Sequence, residues 1–327
     1  MKRILGVFLA AAGLLGVMST PNPVLAQADY PNRNINIVCV FPAGTGADIY
    51  VRYFATALEK KIGKSVVVEN KAGAFGNIGT QYAARAKPDG YTILIAPGSS
   101  TMAAAKSTFK QLPFDPDKDF VPITTLVRLG FVLVVDAKSP YKTLADLTES
   151  LKTKGDKASY GTGSNTGLVS AELYKAGYGL KTKNVNYTDA MTGLNDLIGG
   201  QLEFQSIDTA FAKGQVDAGK IRALGQTSSF RAAAFPDVPT MKEAKVPGYE
   251  KFEPWWAVYA PANTPKPIVD KLEAWFNEIV KTAETKAFFN KIGGEPYPGN
   301  AALVRKLQAE ETKAWREYIK LANITPM

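Results

Sequence analysis

The chain has 327 residues, 46% of them hydrophobic, a formal charge of +9, a single cysteine and no histidine. Lacking histidine, it cannot build the commonest general base, the usual catalytic triad or most zinc-hydrolase sites, and a lone Cys39 cannot close an internal disulfide. Its basic residues are scattered (Lys60, Lys61, Lys64, Lys152, Lys154, Lys157, Lys181, Lys183), which predicts a solvated surface with a mild bias toward anionic ligands and no nucleic-acid partner.

Lys2 and Arg3 open the chain, Ile4 to Met18 is almost purely apolar, and Ser19 to Pro23 breaks that run. Val24-Leu25-Ala26 and Ala26-Gln27-Ala28 both place small residues as a signal-peptide cleavage site requires. The pattern predicts a signal peptide over residues 1–28, cleaved after Ala26 or Ala28, with Lys2 and Arg3 taking the charge from +9 to +7 as they leave. The apolar run is shorter than the ~20 residues of a membrane span, and no later segment approaches that length. A periplasmic chain that is not itself membrane-embedded follows, acting as a monomer. At ~100–200 residues per domain, the remainder suggests two domains.

Beyond residue 28, apolar runs alternate with helical patterns. Ile35 to Val40 reads as a buried strand, with Cys39 as a small core residue. Residues 48–62 carry apolar side chains at 51, 54, 55, 58 and 62, one helix face, and Gly63 stops them. A strand over Val66 to Val68, a helix over Asn77 to Ala86, a Lys87-Pro88-Asp89-Gly90 turn and a strand over Tyr91 to Ala96 follow. This order predicts a parallel, doubly wound sheet. The apolar stretch Leu126 to Val135 is interrupted only by Gly130. A second α/β unit then begins, with helices over 143–153, 166–176 and 190–198 and strands near 158–160, 183–187, 202–206 and 221–225. Trp255 to Ala260 returns as a strand, with the tryptophan pair read as core or hinge packing rather than ligand stacking. Two helices close the chain. One is buried along Ile268, Leu272, Trp275, Phe276 and Ile279; the other runs from Ala301 to Leu321 with Leu303, Leu307, Trp315, Tyr318 and Ile319 inward. Both are expected to fold back on the first unit. The domain expectation is therefore a discontinuous first lobe, 29–128 plus 252–327, and a second lobe, 129–251, with a ligand cleft between them.

Three Gly-rich loops leave a strand and open a helix: Phe41 to Asp48, Ala72 to Gly79, and Tyr160 to Gly167. A helix start carries roughly half a positive charge and unsatisfied N–H donors, so it holds a carboxylate or phosphate without Lys or Arg. Taken alone, each loop also fits an ordinary reversal; three such loops at strand ends on two lobes favour anion binding. Gly44-x-Gly46 begins a dinucleotide fingerprint, but Ile49 stands where the third glycine belongs. Ser99-Ser100-Thr101, after the third strand, offers hydroxyls or a plain N-cap.

With these loops the chain resembles the Bug-type, TctC-like solute-binding proteins of tripartite tricarboxylate transporters. The marks are Tyr30-Pro31, Phe41 to Asp48, Val68-Glu69-Asn70-Lys71-Ala72-Gly73-Ala74, Gly76-Asn77-Ile78-Gly79, and Lys87 to Thr92. Leu112-Pro113-Phe114-Asp115, Lys118-Asp119-Phe120, Leu197 to Gln201, Ala218 to Leu224, Phe235 to Thr240 and Ala260-Pro261 continue the series in order. The resemblance implies an α/β, two-lobed periplasmic-binding-protein fold of type II-like form, two doubly wound sheets joined by a two-stranded hinge, closing over a small organic acid and delivering it to integral-membrane transporter subunits. It implies no enzyme activity, no cofactor and no metal. By position, first-lobe contacts are Ala43, Gly44, Thr45, Asp48, Gly76, Asn77 and Ser99 or Ser100; second-lobe contacts are Ser164, Thr166, Gly167, Tyr187, Thr188 and Asp208.

Departures from the family pattern bear on the ligand. Val185-Asn186-Tyr187-Thr188-Asp189 lacks the basic side chain often found there, and Ile207-Asp208 replaces an Asp-Asn pair. Phe75 and Thr45 replace glycines. If Asp189 and Asp208 face the cleft, that end disfavours a second carboxylate and favours an amino, amide or hydroxyl group; Phe75 then offers an apolar wall. If these positions point away, they say nothing of the ligand. A ligand sensor that presents its closed form to a signalling receptor fits the same sequence, and a nucleotide-dependent oxidoreductase fits it less well.

Overall fold

The computed structural model describes residues 30–249, 252–321 and 324–326. The expected signal peptide lies outside the described residues. Pro31–Met327 is one unit by its contacts, and it is built on two sheets.

In chain order the first elements are β1 (Ile35–Cys39), α1 (Gly46–Ile62), β2 (Val66–Asn70), α2 (Asn77–Ala84) and β3 (Thr92–Pro97). β1 pairs in parallel with both β2 and β3, as the alternation predicts. A π-helical turn, Gly98–Ala103, follows β3. β4 (Phe120–Leu129) then leads through Gly130 into β5 (Phe131–Asp136).

The next stretch holds α3 (Leu144–Lys154), β6 (Ser159–Thr162), α4 (Asn165–Tyr178), β7 (Lys183–Asn186), α5 (Ala190–Ile198), β8 (Phe204–Asp208), α6 (Thr209–Asp217) and β9 (Ile221–Gln226). The chain returns in β10 (Trp255–Pro261) and ends with α7 (Lys266–Val280), α8 (Ala283–Ile292), β11 (Gly294–Pro296) and α9 (Ala301–Leu321). The first sheet is ordered β11-β4-β10-β3-β1-β2 and the second β7-β6-β8-β5-β9. Neither is wholly parallel: β10 and β4 run antiparallel in the first, and β5 runs antiparallel to β8 and β9 in the second. β10 and β5, each reversed relative to both neighbours, are the strands by which the chain enters each sheet after a crossing.

Period-two alternation builds the second core. Leu133 and Val135 face a cluster with Leu147, Tyr160, Tyr174 and Phe204, whereas Val132 and Val134 face Leu194, Leu197, Ile207 and Phe211. In the first sheet Val38, Leu94, Ala96, Ala257 and Tyr259 share one cluster with Val304 of α9. Phe54 of α1 meets Phe276 of α7 at 6.3 Å between ring centroids.

The two crossings lie side by side. Leu129 N–H donates to Pro254 O at 2.9 Å, and Phe131 and Thr227 exchange bonds of 2.9 and 2.8 Å. Arg128 pairs with Glu253 at 3.2 Å and also with Glu295. Trp255 and Trp256 are buried at the second crossing, as packing requires.

The last helix departs from expectation. Its first half packs on the first sheet through Val304, but Trp315, Tyr318 and Ile319 join the core of the second sheet. The apolar stripe turns steadily around a long helix, so opposite ends face different partners. α9 therefore bridges the lobes instead of folding only on the first. Among the described residues, no helix is long and apolar enough to cross a membrane.

Candidate functional site: a cleft where four helices begin

Four helix starts converge on one cavity between the sheets. It is lined by Phe41, Thr45 and Ala47 at α1, Gly163 and Ser164 at α4, Asp189 and Ala190 at α5, and Ile207 and Asp208 at α6, with Phe131 from β5. Its walls are largely apolar, and among the described residues no Lys or Arg lines it. The cavity volume is about 50 Å³, room for a few waters rather than the ~300 Å³ or more of a typical ligand site. The lobes are closed on each other.

The four starts are capped differently. Ser164 Oγ accepts from Gly167 N at 3.1 Å, a neutral cap. Asp189 Oδ1 accepts from Thr192 N at 2.9 Å and from Thr192 Oγ1 at 3.1 Å, while Thr188 Oγ1 donates to Oδ2 at 3.2 Å. Asp208 Oδ1 accepts from Phe211 N at 2.9 Å and from Tyr50 OH at 3.0 Å. Burial pushes the Asp208 carboxyl above its ordinary value, partly opposed by the Phe211 amide and the Tyr50 hydroxyl. At α1, Thr45 makes no side-chain cap; its hydroxyl donates to Pro42 O at 2.7 Å. The start of α1 thus lacks a side-chain cap, and its local compensation is Asp48 in the first turn.

Of the expected contacts, Thr45, Ser164, Asp189 and Asp208 come together at the cavity. Ala43 and Gly44 are exposed at its mouth, and a Cβ on Gly44 (φ 82°) would stand 3.7 Å from Met191 of the other lobe. Asp48 is spent on its own loop. It accepts from Gly44 N at 3.0 Å, Arg52 Nε at 2.8 Å and Asn70 Nδ2 at 2.9 Å. Burial works to raise its carboxyl, but Arg52 and these amides outweigh burial and hold it below the usual range.

Tyr187 is likewise turned inward, its hydroxyl donating to Asp196 at 2.6 Å; burial and that carboxylate push it up to about 12. Both residues shape loops instead of facing the cavity. Gly76, Asn77, Ser99, Ser100, Thr166 and Gly167 are buried and do not line the cavity, and Thr188 is exposed. Ser99 Oγ has no hydrogen-bond partner among the described residues. Phe75 does not line the cavity. It sits with Ala74 in the left-handed region (φ 52° and 47°), which costs roughly 1–2 kcal/mol for a residue with a Cβ.

Sequence reasoning missed Phe41, Ala47, Phe131, Ala190 and Ile207 as walls, and it missed Tyr50. The signal for Phe131 was available, since it directly follows the one glycine at a crossing. Tyr50 carried none, because an aromatic one turn before Phe54 reads as core. Two glycines permit the close approach. A Cβ on Gly163 would lie 2.2 Å from the Asp189 carbonyl carbon, and one on Gly46 would lie 1.8 Å from Asp208 Oδ1.

Residues 50–324 match the model of the tripartite tricarboxylate transporter family receptor. Protein BugT of Bordetella pertussis is 30% identical over 97% of this chain and 95% of its own. The R. palustris protein Rpa4515, solved with adipate, superposes with a TM-score of 0.87 at 30% identity, covering 91% of this chain and 100% of its own. MatC from Rhodopseudomonas palustris, solved with bound malate, gives 0.81 at 26% identity, covering 89% and 100%. The matched family is one of receptors, not of enzymes, which sets aside the oxidoreductase reading. Two α/β sheets, a cleft of converging helix starts and these matches agree: the chain belongs to the TctC, or Bug-type, family of periplasmic solute-binding receptors.

Proposed function

We propose that the chain is exported by its first 28 residues, traps a small organic acid between its lobes and delivers it to membrane subunits of a tripartite tricarboxylate-type transporter. The observation that carries the reading is the start of α1, uncapped by its own side chains and aimed into a cleft shared with three other helix starts. A carboxylate belongs there, satisfied by backbone donors and the helix dipole. The second-lobe end presents Asp189 and Asp208 and no cation, so a second carboxylate is repelled and an amino, amide, hydroxyl or apolar group is accepted. The adipate and malate of the solved neighbours support the carboxylate class.

Lobe boundaries near 128 and 252 suit this role, because both crossings lie there and small rotations about them open the cleft. A ligand shifts the open–closed balance only through contacts that differ between the two states. A thermal-shift screen of monocarboxylates, dicarboxylates, aromatic acids and amino acids tests the binding half. A true ligand at a hundred times its Kd adds ~2.7 kcal/mol, and monocarboxylates bearing a donor group outrank dicarboxylates. No shift with any acid at millimolar concentration refutes it. Deleting the gene tests delivery: lost uptake of the identified acid supports it. Normal uptake with lost induction of the uptake genes refutes it in favour of sensing.

A further inference from the structure

In the closed cleft the first lobe's anion site is not empty. A Cβ placed on Gly46, in the first turn of α1, would meet both Asp208 carboxylate oxygens, at 1.8 and 2.7 Å, and their carbon at 2.5 Å. The second lobe's own carboxylate therefore rests against the helix start that has no cap of its own. Tyr50, one turn further along α1, donates its hydroxyl to Asp208 Oδ1 at 3.0 Å across the cleft. The same oxygen accepts from Phe211 N at 2.9 Å in α6. Tyr50 is 1% exposed. Its ring is fixed edge-on to Trp256 at 5.4 Å and against Phe289 at 6.1 Å, so the hydroxyl has little freedom to turn elsewhere. One carboxylate thus joins two helix starts, one from each lobe, the arrangement a bound anion requires.

We propose that Asp208 is a resident stand-in for the ligand carboxylate, and that with Tyr50 and Gly46 it latches the lobes shut when no ligand is bound. The inference rests on reading the cleft as the ligand site. Tyr50 is a positioning residue: it aims at the carboxylate from the first lobe, and an incoming acid must displace Asp208 from it. Gly46 is the clearance that lets the carboxylate approach.

The test uses the purified chain with no added ligand, so its outcome is separate from that of any ligand screen. Gly46→Ala keeps a helical backbone that alanine suits but occupies the carboxylate's position. Small-angle scattering is expected to show a larger radius of gyration than wild type, with an unchanged circular dichroism spectrum. Tyr50→Phe removes one hydrogen bond to a charged group, which shifts a two-state balance roughly tenfold or more. Amide exchange at Phe211 and in the first turn of α1 is expected to speed up by that factor. Tyr53→Phe, which loses a hydroxyl contact with Thr285 inside the first lobe, leaves both readings at wild-type values. Unchanged exchange in Tyr50→Phe overturns the latch, whether or not Gly46→Ala folds; so does an unchanged scattering profile in a folded Gly46→Ala.

Discussion

Gly163→Ala is the sharpest test of the cleft's construction. The added Cβ lands 2.2 Å from the Asp189 carbonyl carbon, 2.5 Å from Ala190 N and 2.6 Å from Asp189 O. All three are backbone atoms, so no side chain can swing away. Ordinary contact demands that the β6–α4 loop and the start of α5 part by roughly 1 Å, and such overpacking costs about 1–3 kcal/mol. Gly214→Ala in α6 is the matched control. Its Cβ meets nothing within 4 Å, and helix propensity makes it stabilising by ~0.5–1 kcal/mol. Urea denaturation of both variants gives the two signs directly. Binding provides a second reading: a displacement of about 1 Å at converging donors weakens the affinity for any acid the wild type takes, while Gly214→Ala leaves it alone. Equal midpoints for the two variants would refute the claim that the loops touch through their backbones.

Two pH effects follow from the carboxyls. Asp48 is held below its ordinary 3.8, so its contribution is present above pH 3.8 and is lost as pH falls through its depressed folded value; Asp48→Asn therefore flattens the acid limb of a thermal stability–pH curve, and an unaltered limb contradicts the Gly44–Arg52–Asn70 network. Glu311 moves the other way, raised by burial from 4.5 to about 8, with Glu253 and Glu310 adding repulsion. Stability linked to it is greatest below pH 4.5 and falls as pH rises toward 8. Glu311→Gln is expected to raise the melting temperature by an amount that grows across that window and vanishes at pH 4, and a pH-independent effect rejects it.

Much of the fold was legible because burial imprints a period. The apolar residues at 51, 54, 55 and 58 gave α1, and Asp189 stood just before the expected helix over 190–198, whereas Leu126 to Val135 showed only as an apolar stretch around Gly130 and α6, which Asp208 opens, went unread. What the sequence hides is which partner each polar group takes. Asp48 and Tyr187 sit in the right loops, yet Asn70 and Asp196 claim them, and nothing in a linear pattern tells an inward hydroxyl from an outward one. Tyr50 shows the reverse. Its burial is plain from its place on the helix, but its role needs a carboxylate 158 positions away. Ala74 and Phe75 adopt a backbone that their side chains disfavour, so local preference pointed elsewhere.

The placement of α9 also limits how this protein can move. A helix of 21 residues is a rod of ~31 Å, seated at one end by Val304 among first-sheet residues and at the other by Trp315 in the second core. Prising Trp315 from its seat would expose a side chain only 1% accessible, at a cost of about 1.5–3 kcal/mol or more. A motion that parts the lobes therefore bends α9 or unseats one of its ends. α9 is thus a brace that ties the spacing of the two sheets to the seat of Trp315.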